Sequence, residues 1–315
     1  VILDRLLQRR LVVVSGKGGV GKSVVAAALA RAAHDRGKRV LLVEVDAPTE
    51  AAYLGAGSRG SVVAVEPGLE VVNLRPEAVM DEYVRHVVRI ELLVRRILAS
   101  ELYHRFFAAA PGLAELMTLG KVMVLVEARE RWSRRFVHDL VVLDAPATGH
   151  GLAFLKVPLA AAQAIPVGPV GSNARRILSL LRDAARTALV LVAIPEEMAV
   201  VEALEFQRLA AEELEMKPAA LVLNACHERR LSDEQEAQVL RLGAAGEDAR
   251  LAPGLSLLAG LAAARRHIRR RKLTRFYQAR LERATRAPLL TLPFLFREEL
   301  GPGDVRLLAE RLASA

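Results

Sequence analysis

The chain has 315 residues, 52% of them hydrophobic, enough for one large α/β domain or two small ones around a sizeable core. No stretch approaches the ~20 uncharged apolar residues of a membrane span, and the opening VILDRLLQRR lacks the layout of an export signal, so a cytoplasmic protein without an integral membrane segment is expected. The formal charge of +9 invites anionic partners, but lysine occurs only seven times and the arginines are spread along the chain, so nucleic acid is not the expected partner.

In chain order, LVVV (11–14) is a short apolar run that ends at the glycine-rich SGKGGVGKS (15–23), and KSVVAAALARAAHDR after it reads as an alanine-rich helix. Strand, glycine loop and helix together are the setting of a phosphate-binding loop. Backbone N–H groups of Gly16, Lys17, Gly18, Gly19, Val20 and Gly21 converge on oxyanions, and the helix N-terminus adds the positive end of its dipole. Gly16, Gly21, Lys22 and Ser23 fit G-x-x-x-x-G-K-[ST], in which Lys22 reaches the β- and γ-phosphates of ATP and the Ser23 hydroxyl holds Mg²⁺. Gly16, Gly18 and Gly21 also fit the G-x-G-x-x-G of a dinucleotide fold, with Glu44 placed as a ribose-binding acid; that fold has no use for Lys22 and Ser23.

RVLLVEV (39–45), HDLVVLDA (138–145), TALVLVAI (187–194), AALVLNA (219–225) and PLLTLP (288–293) are five further β-branched runs separated by helical patterns. They predict an α/β fold: a doubly wound, mostly parallel sheet of the P-loop nucleotide triphosphatase type. The whole chain, 1–315, reads as a single domain, with the helix-patterned interval 76–135 as a helical insertion lobe at the sheet edge. Asp144 and Asp46 each follow an apolar strand, so both carboxylates emerge at strand ends near the loop. Asp144 is expected to coordinate Mg²⁺ through water, and Asp46 to position or deprotonate the attacking water and to lie close to the metal. Downstream, DAPATGHG (144–151) offers the backbone N–H groups of Thr148 and Gly149 to a γ-phosphate. Cys226, the one cysteine, excludes an internal disulfide and is expected as a buried thiol. ARRHIRRRKLTRFYQAR (264–280) reads as an amphipathic helix with a solvated basic face, with Leu273, Phe276, Tyr277 and Leu281 at helical spacing.

The second lysine of the loop, Lys17, carries a resemblance. KGGVGKS resembles the deviant phosphate loop of dimeric ATPases, and within that class DAPATGHGLAFLKVP, AAPGLAELMTLGKV, VAIPEEMAVVEALEF, LVLNA and LPFLFREELG look most like the arsenical pump-driving ATPase and tail-anchored-protein targeting factor family. The resemblance covers nearly the whole chain. It implies that Lys17 crosses a dimer interface to the neighbour's nucleotide and that Asn224 contacts adenine. It also implies a homodimer, or a heterodimer with a similar ATPase, whose ATP-driven open and closed states bind and release a protein client, membrane proteins included. Val88, Leu92, Ile97, Leu102, Phe106 and Phe107 are then the candidate client surface. The departures are specific: one cysteine cannot build a metalloid site, no C-x-x-C pair exists for zinc, about 40 residues separate His150 from Ile194, and DAPTE stands where the family commonly has D-P-A-H. A partition or positioning ATPase acting on DNA or membrane, and a nucleotide-binding subunit of a heterodimer, are the alternative readings.

Overall fold

The structure is a computed structural model that describes residues 2–46, 53–55, 58, 60–88, 90–101, 105, 112–146, 151–242, 250–252 and 255–314. Thr148, Gly149, His150, Leu102, Phe106 and Phe107 lie outside the described residues.

After a short helix α1 (Ile2–Leu7), the chain enters β1 (Leu11–Gly16) and the glycine loop, then α2 (Lys22–His34) and β2 (Val40–Val45). A hairpin follows, β3 (Val63–Glu66) and β4 (Leu69–Leu74), and then helices α3 (Pro76–Val87), α4 (Glu91–Leu98) and α5 (Leu113–Glu127). β5 (Leu140–Asp144), α6 (Gly151–Ala164), α7 (Gly168–Arg182), β6 (Thr187–Ala193), α8 (Glu197–Glu213) and β7 (Pro218–Cys226) continue the alternation. The last third holds α9 (Asp233–Leu242), the small pair β8 (Arg250–Ala252) and β9 (Leu255–Ser256), the long α10 (Leu257–Ala284), β10 (Leu289–Pro293) and α11 (Pro302–Ser314).

The main sheet runs β10-β7-β6-β1-β5-β2-β4-β3, parallel throughout except for the β3–β4 hairpin. β5 stands between β1 and β2, with Val141 in register with both Leu11 and Leu41. A dinucleotide fold pairs its first two strands directly, so this order removes that reading of the glycines. The chain leaves β1 for one side of the sheet and returns through β5 to β6 on the other, which opens a crevice above the carboxyl end of β1.

Every residue of β6 and β5 is buried, as expected for strands covered on both faces. One face packs Val12, Val14, Leu42 and Val142 against α2 and α11; the other packs Val13, Leu41, Val43 and Val141 against α5 to α8 and the end of α10. Within the stretch 76–135, α5 lies on that second face, with Leu116, Leu119, Val122 and Val126 in the central core. α2 sits close to the sheet because Ala26, Ala27, Ala28, Ala30, Ala32 and Ala33 are all buried.

The structure adds two things to the sequence reading. The β3–β4 hairpin is new: β4 is an interior strand paired with β2 over its whole length. In α10, Ile268, Tyr277 and Leu281 face the core, but Leu273 and Phe276 are 40% and 60% exposed; at 100° per residue, spacing alone does not fix which flank of the stripe turns inward. Cys226 is buried and its thiol is pushed up to about 12 by that burial. Among the described residues, no helix is long and apolar enough to cross a membrane.

Candidate nucleotide site

The crevice is built on a loop that only glycine satisfies at two positions. Gly16 has φ 150°, and a Cβ there would lie 2.3 Å from the Val192 carbonyl oxygen of the adjacent strand. Gly21 has φ 85°, and its Cβ would lie 2.4 Å from Asn224 Nδ2. A side chain at either position would push the loop off its neighbours. The loop thus rests on β6 at one end and on β7 at the other.

Lys22 opens α2 and is 4% exposed. Its Nζ donates to the carbonyl oxygen of Lys17 at 2.9 Å, so it bends back across its own loop. Burial lowers its pKa, and the Asp144 carboxylate partly offsets the effect. An ammonium with one backbone acceptor in a dry setting is poised for a stronger anion. Asn224, 9% exposed, donates from Nδ2 to the Val20 carbonyl at 3.0 Å and braces the loop from β7.

On the other side, Asp144 ends β5 and is 7% exposed. Burial raises its carboxyl to about 6, against the lowering effects of a hydrogen bond from Ser23 and the charge of Lys22. Its Oδ1 has no hydrogen-bond partner. Glu44 on β2 is in register with Asp144, 4% exposed, and pushed up to about 7 by burial and then by the like charge of Asp144. Its Oε2 also lacks a partner. Among the described residues, no group of three or more His, Cys, Asp or Glu side chains converges on a metal position. A cation here would therefore draw on Ser23, phosphate oxygens and water as well as the strand-end acids.

Asp46 stands two residues beyond Glu44, exposed, with φ 47° and its N–H donating to the Leu74 carbonyl at 2.9 Å. None of the described hydrogen bonds or ion pairs joins it to Ser23, Lys22 or Asp144. The structure thus brings Lys22, Ser23, Asp144 and Asn224 around one loop and leaves Asp46 at the rim.

Lys17 takes the opposite direction from Lys22. Its Nζ meets Glu202 Oε1 of α8 at 2.6 Å, with the two side chains 36% and 39% exposed. The pair borders a cavity of about 420 Å³ between α6 and α8, lined by Gly16, Gly151, Leu152 and Phe206. Glu202 was hidden in the sequence: it lies 185 residues from Lys17 and only the packing of α8 beside the loop joins them. Glu44 was visible only as a ribose acid; an acid in a strand otherwise made of valine and leucine was the available signal.

Comparisons with known proteins give the family. The model of the anion-transporting ATPase family matches residues 9–166, from the start of β1 to the end of α6. ATPase BagA of Mycobacterium tuberculosis is 32% identical over 263 residues, covering 78% of this chain and 72% of that protein. An arsenical pump-driving ATPase of Escherichia coli is 29% identical over 204 residues, covering 62% of this chain and 31% of that protein. With half of the chain matched by the family model and a relative 32% identical over most of both chains, the chain belongs to the anion-transporting ATPase family as an ATP hydrolase.

Proposed function

We propose that the chain is a Mg²⁺-ATP-dependent dimeric switch that hydrolyses ATP to ADP and phosphate and couples its open and closed states to binding and release of a protein client. The observation that carries this reading is the divergence of the two loop lysines. Lys22 is buried and turned into its own loop, while Lys17 is half-exposed and, among the described residues, held by a carboxylate at the rim. Lys22 would serve the chain's own nucleotide, and Lys17, once released from Glu202, a neighbour's. The neighbour is a second copy or a similar ATPase.

Ser23 and Asp144 fit a divalent cation: a hydroxyl beside a buried carboxylate with one unpartnered oxygen. Magnesium there would neutralise charge on the β- and γ-phosphates. The remaining roles fall to the chain. The loop amides and the α2 N-terminus hold phosphate oxygens. Asn224 uses Nδ2 on Val20, which leaves its amide oxygen to accept from the amino group of adenine. Asp46 orients and deprotonates water, and Thr148 and Gly149 register the γ-phosphate through their backbone N–H groups. Asp46→Asn should abolish turnover and leave ATP binding intact; retained turnover would move the role elsewhere.

The client surface is proposed on the helices after β4. A groove of about 760 Å³ between α3, α5 and α7 is lined by Val79, Tyr83, Met117, Met123 and Val124, and Leu92 on α4 is 77% exposed beside it in sequence. Unchanged hydrogen exchange there between ATP and ADP states would remove the coupling. The dimer is tested by light scattering with ADP and with a slowly hydrolysed ATP analogue. An ATP-dependent dimer lost in Lys17→Ala supports the reading; a monomer that binds ATP regardless sinks the homodimer.

A second reading, a positioning ATPase on DNA or membrane, draws on α10. Arg269, Lys272, Arg275 and Arg283 are exposed there, and no carboxylate pairs with them among the described residues. Binding to DNA or anionic vesicles should then fall steeply with salt, and no binding at low salt would end it.

A further inference from the structure

Glu44 has no part in the reaction as proposed above, yet it stands inside the site. In the parallel register it lies directly beside Asp144, and both point to the face of the sheet that α2 covers, where Val12, Val14, Leu42 and Val142 pack. Every other residue of β2 is valine or leucine. A valine at position 44 would fill the same place without desolvating a charge.

The surroundings do not compensate Glu44. It has no ion pair among the described residues, its Oε2 has no hydrogen-bond partner, and its nearest charged neighbour is Asp144, itself with Oδ1 unpartnered. Among the described residues the cation close by, Lys22, is directed at the Lys17 carbonyl. Two buried carboxyl groups side by side, each with an oxygen aimed at nothing, form an arrangement that a divalent cation and its water shell would satisfy. Asn73, the other neighbour of Glu44 in register, belongs to β4 and carries no charge to balance it.

We infer that Glu44 is a positioning residue of the divalent-cation site: paired with Asp144, it accepts hydrogen bonds from water ligands of the cation and so sets cation affinity without touching the nucleotide. This rests on the assignment of Ser23 and Asp144 to that cation, and it adds a carboxylate at the end of β2 that the P-loop pattern does not contain.

The test uses Mn²⁺ as the probe, followed by electron paramagnetic resonance in the presence of saturating ADP, with wild type and Glu44→Gln. Loss of an outer-shell partner should weaken Mn²⁺ affinity by about tenfold or more. ADP affinity measured in EDTA should stay unchanged, and the melting temperature in EDTA should not fall. Equal Mn²⁺ affinity in the two proteins would overturn the inference and leave Glu44 a buried carboxyl only. Wild type that binds no Mn²⁺ with ADP would overturn the cation site itself, a separate result. If Glu44→Gln does not fold, Glu44→Asp serves: the shortened carboxylate should bind Mn²⁺ more weakly than wild type while ADP affinity in EDTA is kept, and unchanged Mn²⁺ affinity would again overturn the role.

Discussion

The two ends of the sheet treat charge in opposite ways. At the amino ends of β1, β2 and β5, Arg10 donates to the carbonyls of Val126, His138 and Asp139, each at 2.7 Å, and lies 3.6 Å above the Phe136 ring. Arg39 binds both oxygens of Asp139 and one of Glu130, and its hydrogen bond is the chief reason the Asp139 carboxyl is held below its ordinary value. At the carboxyl ends, Asp144 and Glu44 keep unpartnered oxygens, and Lys22 has a single carbonyl. The same strands thus carry an end where each guanidinium has several acceptors, although Arg10 Nε and His138 Nδ1 lack a partner, and an end where two carboxyls face each other with little to balance them. Unpartnered buried nitrogens occur elsewhere, on His34 and His227 for example, but only at the carboxyl end do two facing carboxyls among the described residues share that state, an imbalance that a bound cation would relieve.

The comparison is broken hardest at Lys22. Lys22→Met should lower turnover about 10²- to 10³-fold, as for loss of one preorganised charge at a transferring phosphate, while urea unfolding shows no loss of stability. A destabilised variant with normal turnover would show that Lys22 belongs with the structural end. Arg10→Ala should do the reverse: removal of three charge-assisted bonds costs about 3 kcal/mol of stability and leaves turnover of the remaining folded protein unchanged.

The third effect is on pH. The carboxyls of Glu44 and Asp144 are raised, from 4.5 to about 7 and from 3.8 to about 6. A raised carboxyl means that the folded state holds protons the unfolded state has released. Without divalent cations, stability should therefore be highest below about pH 4 as far as these groups are concerned, fall as pH rises through 6 and 7, and level off about one unit above the higher value. At ~1.4 kcal/mol for each unit of pKa difference between folded and unfolded chain, the loss is on the order of several kcal/mol for the pair. Glu44→Gln should flatten that fall in denaturant titrations run in EDTA, and an unchanged slope would deny the pairing. The smallest effect is at Glu202. Its exposed ion pair is worth about 1 kcal/mol or less, so Glu202→Ala should strengthen nucleotide-dependent dimerisation by up to about fivefold, read by light scattering across a concentration series. Weaker dimerisation would mean that Glu202 orients Lys17 rather than holding it back.

Much of this was legible in the residues. The strand–loop–helix unit announces itself because phosphate binding needs consecutive amides and a fixed lysine, all within nine residues from Ser15 to Ser23. The parallel strands are legible because burial on both faces demands unbroken apolar runs. The β3–β4 hairpin was missed because VEPGLEVVNL mixes acids into a strand whose edge partner leaves one side open. Glu202 and the pairing of Glu44 with Asp144 depend on register and helix docking, which no local pattern encodes. Leu273 and Phe276 show the same limit within one helix: the residues were apolar at the right spacing, but Tyr277 and Leu281 took the core.

The alanines of α2 have a mechanical consequence. Six of them lie flush between the sheet and the face that α11 covers, so the helix has almost no free volume in which to shift, and close-packed interiors of this kind resist compression. Phosphate binding at its N-terminus cannot be answered by sliding α2. The compliant wall is the opposite one, where the cavity between α6 and α8 leaves empty space beneath the loop. α2 is therefore the unyielding side of the crevice, and α8, which carries Glu202, borders the side with free volume.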